Sequence, residues 1–141
     1  MLTIYPVCFF KEDSGHYSVV FPDLNWLATQ GETLEEAMTM GVECLASHIY
    51  TCKKDNQMIP VPSSICEISL DEVAKELELK PVEAFVNMVS VDVEEYAKRH
   101  FEKSVRKTLT IPAWLNAIAL EQGVNFSQTL QEALLAKIKI Q

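Results

Sequence analysis

Residues 104–138 read SVRKTLTIPAWLNAIALEQGVNFSQTLQEALLAKI, and the organisation of the whole chain follows from how that stretch folds. From Val105 to Ile111 it alternates like a short strand. Arg106, Thr108 and Thr110 fall on one face, with Lys107 between them, while Leu109 and Ile111 fall on the other. Pro112 stops the strand and suits the first turn of a helix, where its missing N–H costs nothing. That helix is expected to run to about Gln122, with Leu115, Ile118 and Ala119 on one side and Gly123 placed to end it. Asn125 and Gln128 stand three apart, the spacing of a capping box for a second helix. Phe126, Leu130, Ala133, Leu134 and Ile138 form its apolar stripe.

A lone strand has no hydrogen-bond partner, and two short helices have little to cover their apolar faces. The economical solution is a second copy, with the two strands pairing antiparallel and four helices sharing one core. That arrangement is a ribbon-helix-helix dimer, whose two-stranded ribbon enters the DNA major groove. The RKTLTIP strand, the Gly123 turn and the capped NFSQ helix start resemble that family at its usual spacing. The resemblance implies base reading by Arg106, Thr108 and Thr110, with Lys107 beside them on the ribbon. It also implies phosphate anchoring where the second helix begins, at Asn125, Phe126 and Ser127. Free N–H groups and the helix dipole favour an anion there on physical grounds. The plainer alternative is an αα-hairpin that serves only to dimerise.

At 141 residues the chain can hold one ordinary domain or two small ones, and at 48% hydrophobic it can build a real core. No apolar run approaches the length of a membrane span. The opening MLTIYPVCFFKED lacks the basic start and small-residue cleavage site of a signal peptide and reads better as a strand. Cys8, Cys44, Cys52 and Cys66 show no CxxC spacing and lie among apolar neighbours, so buried reduced thiols in a cytoplasmic protein are expected. The net charge of −8 is unevenly placed. Residues 1–102 hold seven Lys/Arg against eighteen Asp/Glu, a net −11, whereas residues 103–141 hold five against two, a net +3. Two parts of opposite charge suit different partners, and an acidic body suits a basic protein.

In chain order, Ile4 to Phe10 predicts a strand, with Pro6 suggesting an edge position or a bulge. Glu12-Asp13-Ser14-Gly15 is a turn into a second strand, Tyr17 to Phe21, and a third is expected over Trp26 to Thr29. Thr33 and Glu36 box the start of a long amphipathic helix through Ile49. Lys53 to Ser64 is a loop, Ser69 to Leu79 a short capped helix, Phe85 to Val93 a buried strand, and Glu94 to His100 a brief helix. The fold class is α+β: a small β-β-β-α-β layer over residues 1–100, then the ribbon-helix-helix domain over 104–141. YPVCFF, GHYSVVFPDL, ATQGETLEEAM and the later PVPS resemble the N-terminal domain of HicB-family antitoxins, which has a partial RNase H-like fold. With the C-terminal part, the resemblance covers nearly the whole chain in family order, least well over residues 65–83.

A shared RNase H-like fold raises the question of a metal nuclease site. Asp23, Glu32, Glu36 and Asp92 are the candidates, and each has a plainer role in a turn, a cap or a solvent-facing position. His16, His48 and His100 are scattered, and neither a nucleophile elbow nor a glycine-rich phosphate loop is present. The sequence therefore predicts no enzyme, no catalytic or metal-binding residues and no cofactor.

The HicB resemblance implies a bacterial or phage antitoxin that binds and blocks a small, basic, mRNA-cleaving HicA-like toxin. It also implies a homodimer through the C-terminal domain that binds operator DNA and represses the operon. Whether dimers pair into tetramers is left open, and no membrane is involved. Asp23, Glu35 and Glu43 are the candidate toxin contacts on the acidic part. The alternative is a stand-alone ribbon-helix-helix regulator whose N-terminal domain senses a ligand or only dimerises.

Overall fold

The computed structural model describes residues 1–138, and the chain divides into two compact units, Met1–Lys103 and Ser104–Gln141. In the first, β1 (Thr3–Lys11), β2 (Tyr17–Phe21), β3 (Leu27–Gly31) and β4 (Glu83–Val91) form one antiparallel sheet in the order β3-β2-β1-β4. The architecture is α+β, as the sequence predicts.

Alternation along β1 sends its side chains to two separate cores. Tyr5, Val7 and Phe9 join Val19, Phe21, Val89 and Val91 beneath α1 (Leu34–Lys54), against Ala37, Leu45, Ala46 and Ile49. Cys8 and Phe10 join Val20 on the opposite face, where α2 (Leu70–Glu76) contributes Val73. Two covered faces explain why the stretch around β4 is apolar on both alternations. It is nonetheless an edge strand, buried only at Val89 and Val91, and not the fully buried strand expected. Its far end leads into α3 (Val93–His100), capped by Asp92, whose carboxylate accepts the Glu95 N–H at 3.2 Å.

The predicted caps form with shared labour. Thr33 Oγ1 accepts the Glu36 N–H at 3.1 Å, while the Glu36 carboxylate reaches back one residue further than expected, to the Glu32 N–H at 3.0 Å. Ser69 caps α2 in the same way. Two expectations need correction. Pro6 sits in a central strand, yet the β1–β2 register begins only at Cys8, so no β2 residue stands beside Pro6 to lose a ladder bond. The third strand starts after Trp26, because Asn25 and Trp26 both adopt left-handed backbone (φ 56° and 62°), outside the extended region of a regular strand. At the other end of β3, a Cβ on Gly31 would lie 2.4 Å from the Ala37 backbone nitrogen, so only glycine lets α1 start against the strand.

The second unit contains α4 (Ala113–Glu121) and α5 (Phe126–Ile138). Gly123, at φ +66°, ends α4 with N–H bonds that fold back onto it. Residues 105–111 form neither helix nor strand in the single chain. A strand is defined by a neighbour, and among the described residues this stretch has none. The last three residues of the predicted C-terminal domain lie outside the described ones.

Candidate functional site

The sequence-derived DNA residues all belong to the second unit, and all are exposed. Arg106, Lys107, Thr108 and Thr110 lie on the unpaired 105–111 stretch. Asn125, Phe126 and Ser127 lie where α5 begins. There Asn125 Oδ1 accepts the Gln128 N–H at 3.0 Å, making half of the predicted box, while the Gln128 side chain turns instead to Glu132 at 3.1 Å. The cap leaves the first-turn N–H groups of Phe126 and Ser127 without an intrahelical acceptor, the condition for holding an anion.

Apolar exposure is the second feature of this unit. Among its described residues none is buried, and only Ala119 and Leu130 are half-buried. Leu109 is 62% exposed, and Ile111, Leu115, Ile118, Phe126, Leu134 and Ile138 are exposed as well. A stripe predicted to be a core is therefore uncovered in one copy.

The acidic candidates separate into two environments. Glu35 and Glu43 are exposed on α1, as the helical pattern predicts. Asp23, expected to bond within its own turn, reaches across the fold instead. Its oxygens accept the Ser63 N–H at 2.8 Å and the Ser63 hydroxyl at 2.7 Å, forty residues away. The Tyr5 hydroxyl donates to the Pro60 carbonyl, so three hydrogen bonds pin the loop that follows α1 across the end of the sheet. Beneath it, Cys52 is buried, with its sulfur 3.6 Å from His48 Nε2. Burial, and secondarily the Asp23 charge, pushes the Cys8 thiol up to about 11, while burial raises the Tyr5 hydroxyl. Nothing in the local sequence marks Ser63 as the partner of Asp23. Asp23→Ala should lower stability by about 1–3 kcal/mol, because two hydrogen bonds to a charged acceptor disappear. A reduced urea midpoint at constant m-value would show it.

The nuclease candidates do not converge. Asp23 holds Ser63, Glu36 caps α1 and Asp92 caps α3, where the Glu95 N–H and then the Met1 ammonium hold its carboxyl below the usual range. Among the described residues no three His, Cys, Asp or Glu side chains are grouped to hold a metal ion, and no helix is long and apolar enough to cross a membrane. Cys66, expected to be buried, is exposed, and Cys44 is half-buried.

A family model described as a HicB-like antitoxin of a bacterial toxin–antitoxin system matches residues 5–138. The chain belongs to the HicB-like antitoxin family. Antitoxin HicB 1 of Photorhabdus laumondii is 36% identical over 67 residues, which are 48% of this chain and 43% of that protein. The Escherichia coli antitoxin HicB is 38% identical over 61 residues, 43% of this chain and 44% of its own. The chain thus spans under half the length of these curated relatives. A chain from a Streptococcus pneumoniae toxin–antitoxin complex has 38% identity and a TM-score of 0.61, covering 97% of this chain and 99% of that one. The HicB-like match reaches across both compact units, the acidic one and the one with the uncovered apolar stripe.

Proposed function

We propose that the chain acts as an antitoxin with its two tasks divided between its units. The acidic unit binds and blocks a small basic HicA-like toxin, an mRNA-cleaving ribonuclease. The C-terminal unit pairs with a second copy as a ribbon-helix-helix dimer, binds operator DNA and represses the operon. The observation that carries this reading is the family match over residues 5–138, which takes in both units. The functional domains correspond to residues 1–100 and 104–141.

The physics of each task follows from what the single chain lacks. A toxin that cleaves RNA must present cations to phosphates, and residues 1–102 offer a net −11 to compete for them. Glu35 and Glu43, exposed on α1, supply direct contacts, and Asp23 contributes by holding the 60s loop in place. In the second unit, a partner copy gives residues 105–111 the ladder they lack and covers Leu109 and Ile111. The paired ribbon then presents Arg106, Thr108 and Thr110 to base edges, with Lys107 and the α5 start at Asn125, Phe126 and Ser127 on the backbone.

Arg106→Ala, Thr108→Ala and Thr110→Ala should each weaken specific operator binding by about 1–3 kcal/mol while folding and toxin binding survive. Gel shifts at fixed salt measure this, and unchanged affinity in all three would remove the ribbon assignment. The reading as a whole is tested by coexpressing the chain with the product of the adjacent small reading frame. A stable basic partner that copurifies supports the antitoxin; a chain that binds its operator but purifies alone points to a stand-alone regulator.

A further inference from the structure

The first unit carries an open groove of about 660 Å³ between the Pro22–Leu24 turn and α2. Trp26 and Ile68 give it an apolar side, and Glu67, Glu72, Glu76 and Glu78 stand around it. Lys75 is the one cation among its walls, so the groove is net negative by three charges. Trp26 is 40% exposed, a large ring left against solvent beside those carboxylates. Among the described residues, four non-glycine positions have left-handed backbone, and two of them are asparagines, which adopt it readily. The other two are Trp26 and Glu78, at φ 62° and 56°, and both line this groove. A tryptophan and a glutamate are costly choices at such positions, where glycine or asparagine would fold more easily.

We propose that this groove is the docking site for a Lys- or Arg-bearing segment of the protein partner, with one cation lying over the Trp26 ring. The inference rests on the antitoxin reading above and adds, to the α1 carboxylates Glu35 and Glu43, a second contact region on the α2 side of the sheet. Charge complementarity selects the occupant: an aromatic face beside carboxylates attracts a cation through both the ring quadrupole and the acidic rim. An apolar or anionic segment would leave those glutamates desolvated and unpaired. The left-handed Trp26 and Glu78 are then retained for binding, against the interest of the fold.

The test uses the full chain carrying Trp114→Phe, which leaves Trp26 as the single indole, titrated with the purified product of the adjacent small reading frame. A saturable change in Trp26 emission is expected. Trp26→Asn, followed by calorimetry, should weaken binding about tenfold. Glu76→Lys should weaken it at least about tenfold, whereas Glu83→Lys, the same charge change on β4 outside the groove, should stay within about twofold. Glu78→Gly should raise the urea midpoint and yet weaken binding about threefold, a combination that a purely structural residue would not show. Equal effects of Glu76→Lys and Glu83→Lys, or full affinity in Trp26→Asn, overturn the groove while leaving the antitoxin reading intact. So does an emission change driven by chain concentration alone, which would seat a second copy there. Absence of any binding by the unsubstituted chain overturns both.

Discussion

Replacing Leu109 with Asp should convert the full chain from a dimer to a monomer and abolish operator binding. Leu109 lies on the face of the 105–111 stretch opposite Arg106, Thr108 and Thr110, and it is largely exposed in the single chain. In the proposed dimer that face closes over Ile111 and the apolar sides of α4 and α5. A carboxylate there is buried twice, once per copy, beside its own symmetry mate. Association should weaken about a thousandfold, equivalent to ~4 kcal/mol. Light scattering reads the loss directly. The first unit has its own cores, so toxin binding by the monomer should persist. A Leu109→Asp chain that stays dimeric and still shifts operator DNA would show that copies meet elsewhere.

The largest effect on folding is expected from Phe9→Ala. Phe9 is fully buried on the central strand, stacked on Phe85 at 4.9 Å between ring centroids. It lies in the core that α1 closes, beside Phe21 and Leu45. Removing the ring forfeits its transfer energy and leaves a cavity that strands on both sides prevent from collapsing, at about 3–5 kcal/mol. That is a large share of the ~5–15 kcal/mol that holds a domain of this kind together. The loss should appear as a lower urea midpoint for the first unit. Glu35→Ala, on the exposed side of α1, should change it by no more than about 0.5 kcal/mol.

Local signals were the legible ones. The Thr33–Glu36 cap, the Ser69 cap and the turn at Glu12–Gly15 each lie within a few residues, and each forms. The β1–β2 hairpin is equally local. What the sequence could not show depends on neighbours far along the chain. The place of β1 at the sheet centre rests on β4, which pairs with it from some eighty residues away. The turn sequence predicts local hydrogen bonding for Asp23, whereas its partner Ser63 lies forty residues on. The third strand starts one residue later than its sequence suggests, because Asn25 and Trp26 take a backbone region that side-chain alternation does not report. The 105–111 stretch is the reverse case. Its alternation is plain in sequence, while the single chain gives it no partner and so no strand. For the candidate residues on 105–111 and on α1, exposure was legible in the pattern; the Trp26 groove was not, since it joins residues 22 to 78.

The division of labour is tested most directly with residues 1–103, the compact first unit. The fragment is coexpressed with the proposed toxin, the product of the adjacent small reading frame, and its ability to restore growth is compared with its ability to shift operator DNA. Growth restored as well as by the full chain, together with no operator shift, is the result expected if the acidic unit neutralises and the basic one binds DNA. Growth restored only by the full chain, or an operator shift by the fragment alone, would contradict it.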